Sequence, residues 1–379
     1  MAIKLGILLP RSDMYPRLAL DFVNGFKHAL SMHPSKGAQT ELVIESAGTA
    51  SNENLLKSAE KLLLQDNVDA VISFCGMTLI NQFIALFNNY RKPLLHIDIG
   101  SSYLKKENKS PYVLHVTLGV CQASYLAGAY AAKNYGKKGY SASSVYDGAY
   151  HLTESFVRGY ASEGGAIDKF YVSPMDYKSE TFETLVDDIN AIKPDVIFAT
   201  FSYKEGQKVF NVLAKDDRAM STPIVAIPLM TEECTISESL TIENVVSMAS
   251  WSFNDETEAM KTFQKEFEAQ YDDAPNIISL LGYEAGLTLM TCISSEEKLE
   301  KNLEAAIKNK TIDSPRGKIL FNSLNESQPE AFLLRKLEFI NNEIQNNVVE
   351  TFDVNFLEGL YSEFEEVAYT GWHNPYICT

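Results

Sequence analysis

The chain of 379 residues contains no uninterrupted apolar stretch of about 18 residues, the length that would mark a membrane-spanning helix. Basic residues are in deficit, with 33 Lys and Arg against 50 Asp and Glu and a formal charge of -17. That balance argues against nucleic acid or an anionic membrane as the main partner. It names no ligand, because a local site can oppose the net sign. Cysteine is scarce and scattered, at 75, 121, 234, 292 and 378, with no CxxC pair. A disulfide scaffold is therefore excluded; buried thiols are the plain reading, and one disulfide stays open for an oxidising compartment. Six histidines without an HxH or HExxH spacing give no metal site. The chain also lacks a GxxxxGK[ST] phosphate loop and a GxSxG nucleophile elbow, and the loop after its first strand has no glycine. No cofactor is expected. Carboxylates this numerous and dispersed carry no argument for a paired glycosidase site.

Hydrophobic residues make up 45% of the chain, a globular composition, and its length favours two domains over one. Short apolar runs at 3–9, 42–46, 70–74, 94–97 and 113–116 read as strands, separated by segments with helical spacing such as Ala19, Phe22, Val23, Phe26 and Leu30. Pro16 suits the first turn of the first helix, where a missing N–H costs nothing. The pattern restarts with strands expected at 142–146, 167–172, 196–200, 224–226 and 245–249, and helices near 152–163, 180–191 and 204–215. After Trp251 the composition turns helical, with a helix expected from Ile277 to Cys292. From residue 316 it reads as strands joined by polar turns, which fits antiparallel strands appended to a parallel sheet. The simplest fold class is α/β, two successive parallel sheets with helices on both faces.

In such sheets ligands bind beyond the carboxyl ends of the strands, where loops and helix N-termini converge. The loops so selected are 10–16, 75–78 and 98–103 in the first half and 147–151, 201–205 and 228–233 in the second. In "ILLPRSDMYP", Arg11 can pair with a carboxylate, Tyr15 can stack on a ligand and Met14 can add apolar contact; each is equally a plain surface side chain. Thr78 in "FCGMT" can cap a helix or offer its hydroxyl to a carboxylate. "HIDIGSSY" brings Asp98, Gly100, Ser101 and Ser102 to a strand exit, although a turn of small residues looks the same. "YDGAYH" places Asp147, Tyr150 and His151 together, a group that tempts an acid–base assignment without any partner nucleophile. Ser202, Tyr203 and Glu205 follow a further strand; Glu232, Glu233 and Trp251 complete the set. Aromatic or charged exits in both halves point to a cleft that closes around a small solute. Sequons at Asn108, Asn309 and Asn325 are too short a pattern to imply a secretory route.

Taken in order, "IKLGILLP", "NVDAVISFCG", "KPLLHIDIGSSY", "VLHVTLGVCQASYLAGAYAAKNYGKKGYSASSVYDGAYH", "IKPDVIFATFSY", "FQKEFEAQYDDAPNIISLLGYEAGLTLM" and "RGKILFNSLNESQPEAFLLRK" resemble the type I periplasmic solute-binding proteins, in the branched-chain amino-acid-binding group of ABC transporters. The resemblance covers nearly the whole chain. It implies two doubly wound, Rossmann-like lobes with a ligand cleft and three interlobe crossings, near 119, 250 and 327. One lobe then combines 1–119 with 251–327, and the other 120–250 with 328–379. It implies no enzymatic activity, a periplasmic or cell-surface location with a leader removed, and a membrane permease as partner. Thr78 matches a family hydroxyl for the ligand carboxylate, Asp98 to Gly100 the small-residue pocket, Tyr150 and Tyr203 ligand-facing tyrosines, and Glu232 the acidic group for a ligand ammonium. Closure is expected to sandwich the solute between Tyr15, Tyr150 and Tyr203. Asp98, Ile99 and Arg11 depart from the family pattern, which points away from an ordinary aliphatic amino acid toward a polar or aromatic one, or a related small carboxylate. A ligand-sensing receptor domain on the same fold and a two-domain α/β enzyme are the alternatives, to be separated by a fused signalling domain or by turnover.

Overall fold

The structure is a computed structural model, and it describes residues 2–33, 40–48, 50–146, 150–234, 236, 242–294, 298–340 and 343–368. Five apolar runs build the first sheet: β1 (Ile3–Leu9), β2 (Thr40–Ser46), β3 (Ala70–Phe74), β4 (Leu94–Asp98) and β5 (Val113–Thr117). Their order is β2-β1-β3-β4-β5 and every pairing is parallel. The three inner strands and β5 are buried along almost their whole length, as strands covered by helices on both faces must be. The second sheet starts with β6 (Lys138–Ser143), β7 (Ala166–Val172), β8 (Val196–Thr200), β9 (Ile224–Ala226) and β10 (Val245–Ala249). A small antiparallel sheet follows, made of β11 (Ile312–Ser314), β12 (Gly317–Phe321) and β13 (Ser327–Gln328). Finally β14 (Phe332–Ile340) and β15 (Glu343–Phe352) join the second sheet as an antiparallel hairpin, giving β15-β14-β10-β9-β8-β6-β7.

Among the described residues twelve helices cover these sheets: α1 (Leu18–Ser31), α2 (Asn52–Leu64), α3 (Ile80–Tyr90), α4 (Val120–Asn134), α5 (His151–Ser162), α6 (Glu183–Ile192), α7 (Tyr203–Leu213), α8 (Asp217–Ser221), α9 (Glu258–Tyr271), α10 (Ile277–Cys292), α11 (Leu303–Ile307) and α12 (Leu357–Glu363). Among the described residues no helix is long and apolar enough to cross a membrane. Capping follows the sequence where a side chain is available: Ser51 accepts from the Asn54 N–H, and Asn276 accepts from the Ile278 and Ser279 N–H groups at 3.0 and 3.1 Å. Pro16 falls in the turn before α1 rather than inside its first turn, because the Tyr15 carbonyl accepts the Leu18 N–H and the helix starts there. The strand expected at 142–146 ends at Ser143 and begins four residues earlier, at Lys138. "KGYSAS" has little apolar periodicity of its own, and its place is set by pairing with β7 and β8.

Glycine lets the two principal helix pairs touch backbone to backbone. A Cβ at Gly25 of α1 would stand 1.9 Å from the Ser279 carbonyl oxygen of α10, and one at Gly282 would stand 2.1 Å from that of Phe22. The second sheet's pair repeats this: a Cβ at Gly159 of α5 would stand 1.9 Å from the Tyr125 oxygen, and one at Gly128 of α4 would stand 2.2 Å from that of Phe156.

Because α10 packs on α1 while β14 pairs with β10, the chain passes between the sheets three times, after β5, after β10 and after β13. These passages are bonded to one another. The Thr117 N–H donates to Ser327 Oγ at 2.8 Å, and Ser250 Oγ donates to the Leu118 oxygen at 2.7 Å. Arg316, 1% exposed at its side chain, binds both oxygens of the equally buried Glu284 at 2.6 and 2.8 Å. It also donates to the Thr117 oxygen at 3.0 Å and to Ser250 Oγ. One guanidinium therefore holds the first and second passages together.

Candidate functional site

The loops beyond β1, β3, β4, β8 and β9 come together between the sheets. From β1, the Arg11 N–H bonds the Gly48 oxygen at 2.6 Å and leaves the guanidinium exposed. The loop then turns at Ser12, whose hydroxyl accepts the Tyr15 N–H at 2.9 Å, and this drives Met14 and Tyr15 inward. Tyr15 stacks on Tyr203, the first residue of α7, with ring centroids 4.8 Å apart and planes 15° from parallel. Its hydroxyl donates to Asp21, which also binds Arg17 at 3.0 Å and the Asn276 amide at 2.9 Å. Burial, the neighbouring Cys234 and Tyr203, and that bond to Asp21 push the phenol well above its ordinary range, so it acts as a donor. Rings in mutual contact leave no slot between them. The expected sandwich of a solute between Tyr15 and Tyr203 is thus absent from this conformation, in which the two rings close on each other across the cleft.

Thr78 lies half-buried in a single turn of 3-10 helix after β3, where Gly76, not Thr78, holds the N-cap position. Asp98 is buried and turns its carboxylate back on its own loop, accepting the Gly100 N–H at 2.6 Å, the Ser101 N–H at 2.8 Å and the Ser101 hydroxyl at 3.1 Å. Gly100 has φ +85, and a Cβ there would stand 2.6 Å from Thr117 Oγ1 and 2.8 Å from the Gly119 and Val120 nitrogens. Both residues therefore shape the loop against the start of α4. Asp147 lies outside the described residues. Tyr150 is buried and precedes α5, and His151 is the first residue of that helix. His151 Nδ1 accepts the Tyr103 N–H at 3.3 Å and Nε2 faces the Ala368 oxygen at 3.0 Å, which fixes a neutral tautomer. Burial lowers its pKa in the same sense. The tempting acid–base reading of this histidine gives way to a structural one, in which its own N–H also ties α5 to the Ser101 oxygen at 3.1 Å.

Glu232, from the loop after β9, is 1% exposed and accepts the Ile277 N–H at the start of α10 at 3.0 Å. Burial and the adjacent Glu233 push its carboxyl up to about 8, against the opposing pull of that N–H and of Arg335. Glu232 and Tyr15 line a cavity of about 630 Å³ with Arg17, Asp273, Asn276 and Glu343, a volume suited to a small molecule. Trp251 is wholly buried instead of facing the cleft: the Arg335 guanidinium lies over its indole at 5.0 Å and donates to its carbonyl oxygen at 3.2 Å.

Arg335 of β14, Arg316 of the turn between β11 and β12, and Glu284 of α10 were missed from sequence because nothing local marks an arginine as buried. Glu284 did carry a signal, as the sole charge in the 16 residues of α10. Among the described residues no cluster of His, Cys, Asp and Glu could hold a metal. Cys75, Cys121 and Cys292 are buried and Cys234 is exposed, 4.0 Å from the Tyr15 hydroxyl.

The arrangement is that of known solute-binding proteins. A solute-binding protein of an ABC transporter from Rhodopseudomonas palustris BisB5, solved with 3,4-dihydroxybenzoic acid, superposes with a TM-score of 0.80 at 19% identity, over 93% of this chain and 97% of that one. The leucine-binding protein LivK from Thermotoga maritima gives 0.71 at 15% identity, over 93% and 99%. The branched-chain amino acid transporter substrate-binding protein LivJ from Streptococcus pneumoniae, solved with isoleucine, gives 0.73 at 15%, over 92% and 99%. These likenesses speak for the two-lobed fold. No curated protein matches the chain in sequence. The family model for periplasmic binding proteins matches residues 2–331, and the chain belongs to that family of solute-binding proteins.

Proposed function

We propose that the chain is the extracytoplasmic binding component of an ABC-type importer and takes a small carboxylate-bearing solute, an amino acid or an aromatic acid, between lobes formed by 1–119 with 251–327 and by 120–250 with 328–379. The observation that carries the reading is the Tyr15–Tyr203 stack, which joins the loop of the first sheet to the helix of the second directly over the cleft. Closure of that pair removes water from the loops beneath it, which strengthens every polar contact made there. The solutes named for the structural relatives, 3,4-dihydroxybenzoic acid, benzoate and isoleucine, all carry a carboxylate, and this supports the choice of class.

Thr78, Tyr150, Arg11 and Glu232 are the groups we assign to the solute, with Asp98, Gly100 and Trp251 acting through the backbone they hold. A solute ammonium would ionise Glu232 on arrival. Uptake of an amino acid near pH 7 then releases a proton, whereas a benzoate has no such requirement. Titration calorimetry in buffers of different ionisation enthalpy, with branched-chain, aromatic and polar amino acids and with hydroxybenzoates, tests this. A saturable heat for one class is expected, weakened by Tyr203→Ala; absence of saturable binding across both classes would refute the assignment.

A further inference from the structure

We propose that His96 and His115 together bind one proton inside the first sheet, and that this proton positions the 98–101 loop. The two residues are direct partners in the β4–β5 pairing, and both side chains are buried. Their Nδ1 atoms lie 2.9 Å apart. The second nitrogen of each ring faces a backbone carbonyl, His96 Nε2 at 2.8 Å from the Cys75 oxygen and His115 Nε2 at 3.2 Å from the Asn108 oxygen. A carbonyl oxygen only accepts, so both Nε2 atoms carry hydrogen, and the Nδ1–Nδ1 bond needs a third. Two neutral imidazoles supply two. An imidazole–imidazolium pair supplies three, and one Nδ1–H then donates to the lone pair of the other Nδ1 instead of two lone pairs facing each other.

The surroundings hold the balancing charge. Asp98 lies two residues beyond His96 and shares with both rings a cavity of about 10 Å³, no larger than one water, also lined by Glu326. Burial raises the Asp98 carboxyl, the three hydrogens it accepts and the nearby His96 pull it back toward the carboxylate, and that charge favours the cationic form of His96. Glu326, immediately before β13, accepts from the Tyr361 hydroxyl of α12 and from the Asn322 amide. Cys75 from β3 and Cys121 from α4 are buried thiols held protonated by burial, as is the Tyr103 phenol. On the side of α10, Glu284 and Arg316 cancel each other, and beside α11 the Lys109–Glu304 pair is exposed. Burial acts against a charge on either ring. The hydrogen-bond count and Asp98 act for it.

The location gives the proton its consequence. His96 precedes the carboxylate that folds the candidate solute loop, and His115 donates its N–H to the Asn325 oxygen at 2.8 Å, two residues before Thr117. The pair thus links that loop to the first passage and to the turn before β13.

Nitrogen NMR of histidine-labelled full-length protein tests the assignment without any variant. The two rings are recognised by coupling across the Nδ1–Nδ1 hydrogen bond. Three protonated nitrogens among their four at pH 6 are expected; two singly protonated rings at that pH overturn the proposal, whether the proton is on Asp98 or absent. His96→Gln and His115→Gln are each expected to leave the remaining ring with a single hydrogen at pH 6. A remaining ring that stays doubly protonated in both folded variants overturns the proposal equally.

Discussion

Arg316→Met tests whether the passages are held by charge. The wild-type side chain is 1% exposed and spans Glu284, Ser250 and the Thr117 oxygen. Removing it leaves the Glu284 carboxylate, equally buried, with Ser314 Oγ at 2.6 Å as its remaining side-chain donor. Breaking one side of a buried pair costs about 3–5 kcal/mol, most of it the penalty of the abandoned charge. Urea unfolding at pH 7, followed by far-ultraviolet circular dichroism and fluorescence, measures that loss. The double variant Arg316→Met with Glu284→Leu removes both charges and should recover part of it, since a well-packed apolar pair can equal a buried ion pair. A single-variant loss under about 1 kcal/mol, the value of an exposed pair, would refute the reasoning. So would a double variant no more stable than the single one.

Gly25→Ala and Gly159→Ala each force a methyl into a carbonyl oxygen, and each should cost at least the roughly 1–3 kcal/mol of an overpacked core in chemical denaturation. Near-neutral values for both would mean that the helix pairs can part without loss. Glu232→Gln should flatten part of the stability profile. The native carboxyl binds its proton up to about 8 against an ordinary value of 4.5, so its contribution is complete below 4.5 and declines as pH rises toward 8. Equal slopes for both proteins in that window count against it. Tyr203→Ala removes a stack worth about 0.5–1.5 kcal/mol beyond its buried area and should weaken solute binding in calorimetry at unchanged secondary structure. Unaltered affinity would disconnect the stack from the cleft.

Strand positions were legible wherever an apolar run was long enough to speak for itself, as in β1, β3, β8, β9 and β10, which fall on the expected residues. β6 was displaced because its Gly, Ser and Lys residues gain their strand only from neighbours on both sides. The antiparallel ending was legible from its strand-and-turn pattern and appears as the β14–β15 hairpin. For the candidate site, the strand-exit rule selected loops but could not say which way a side chain turns. Asp98 looked like a solute ligand and folds onto its own loop; Trp251 looked exposed to the cleft and lies under Arg335. Two of the three sequon asparagines, Asn108 and Asn325, are buried with their amides bonded to Asn81 and to the Ser110 oxygen, so a sugar there would require unfolding. Such outcomes depend on contacts between residues far apart in sequence, which no window along the chain contains.

The glycine crossing of α1 and α10 also dictates an order of events during synthesis. Phe22, Phe26 and Ala29 find their cover in a helix that begins at residue 277, after the ribosome has made the β6–β10 portion of the second sheet. At about 5–20 residues per second that interval is on the order of tens of seconds. Throughout it the N-terminal helix layer is open to chaperones, while the β6–β8 segment, whose α4–α5 crossing is contiguous in sequence, can close on its own.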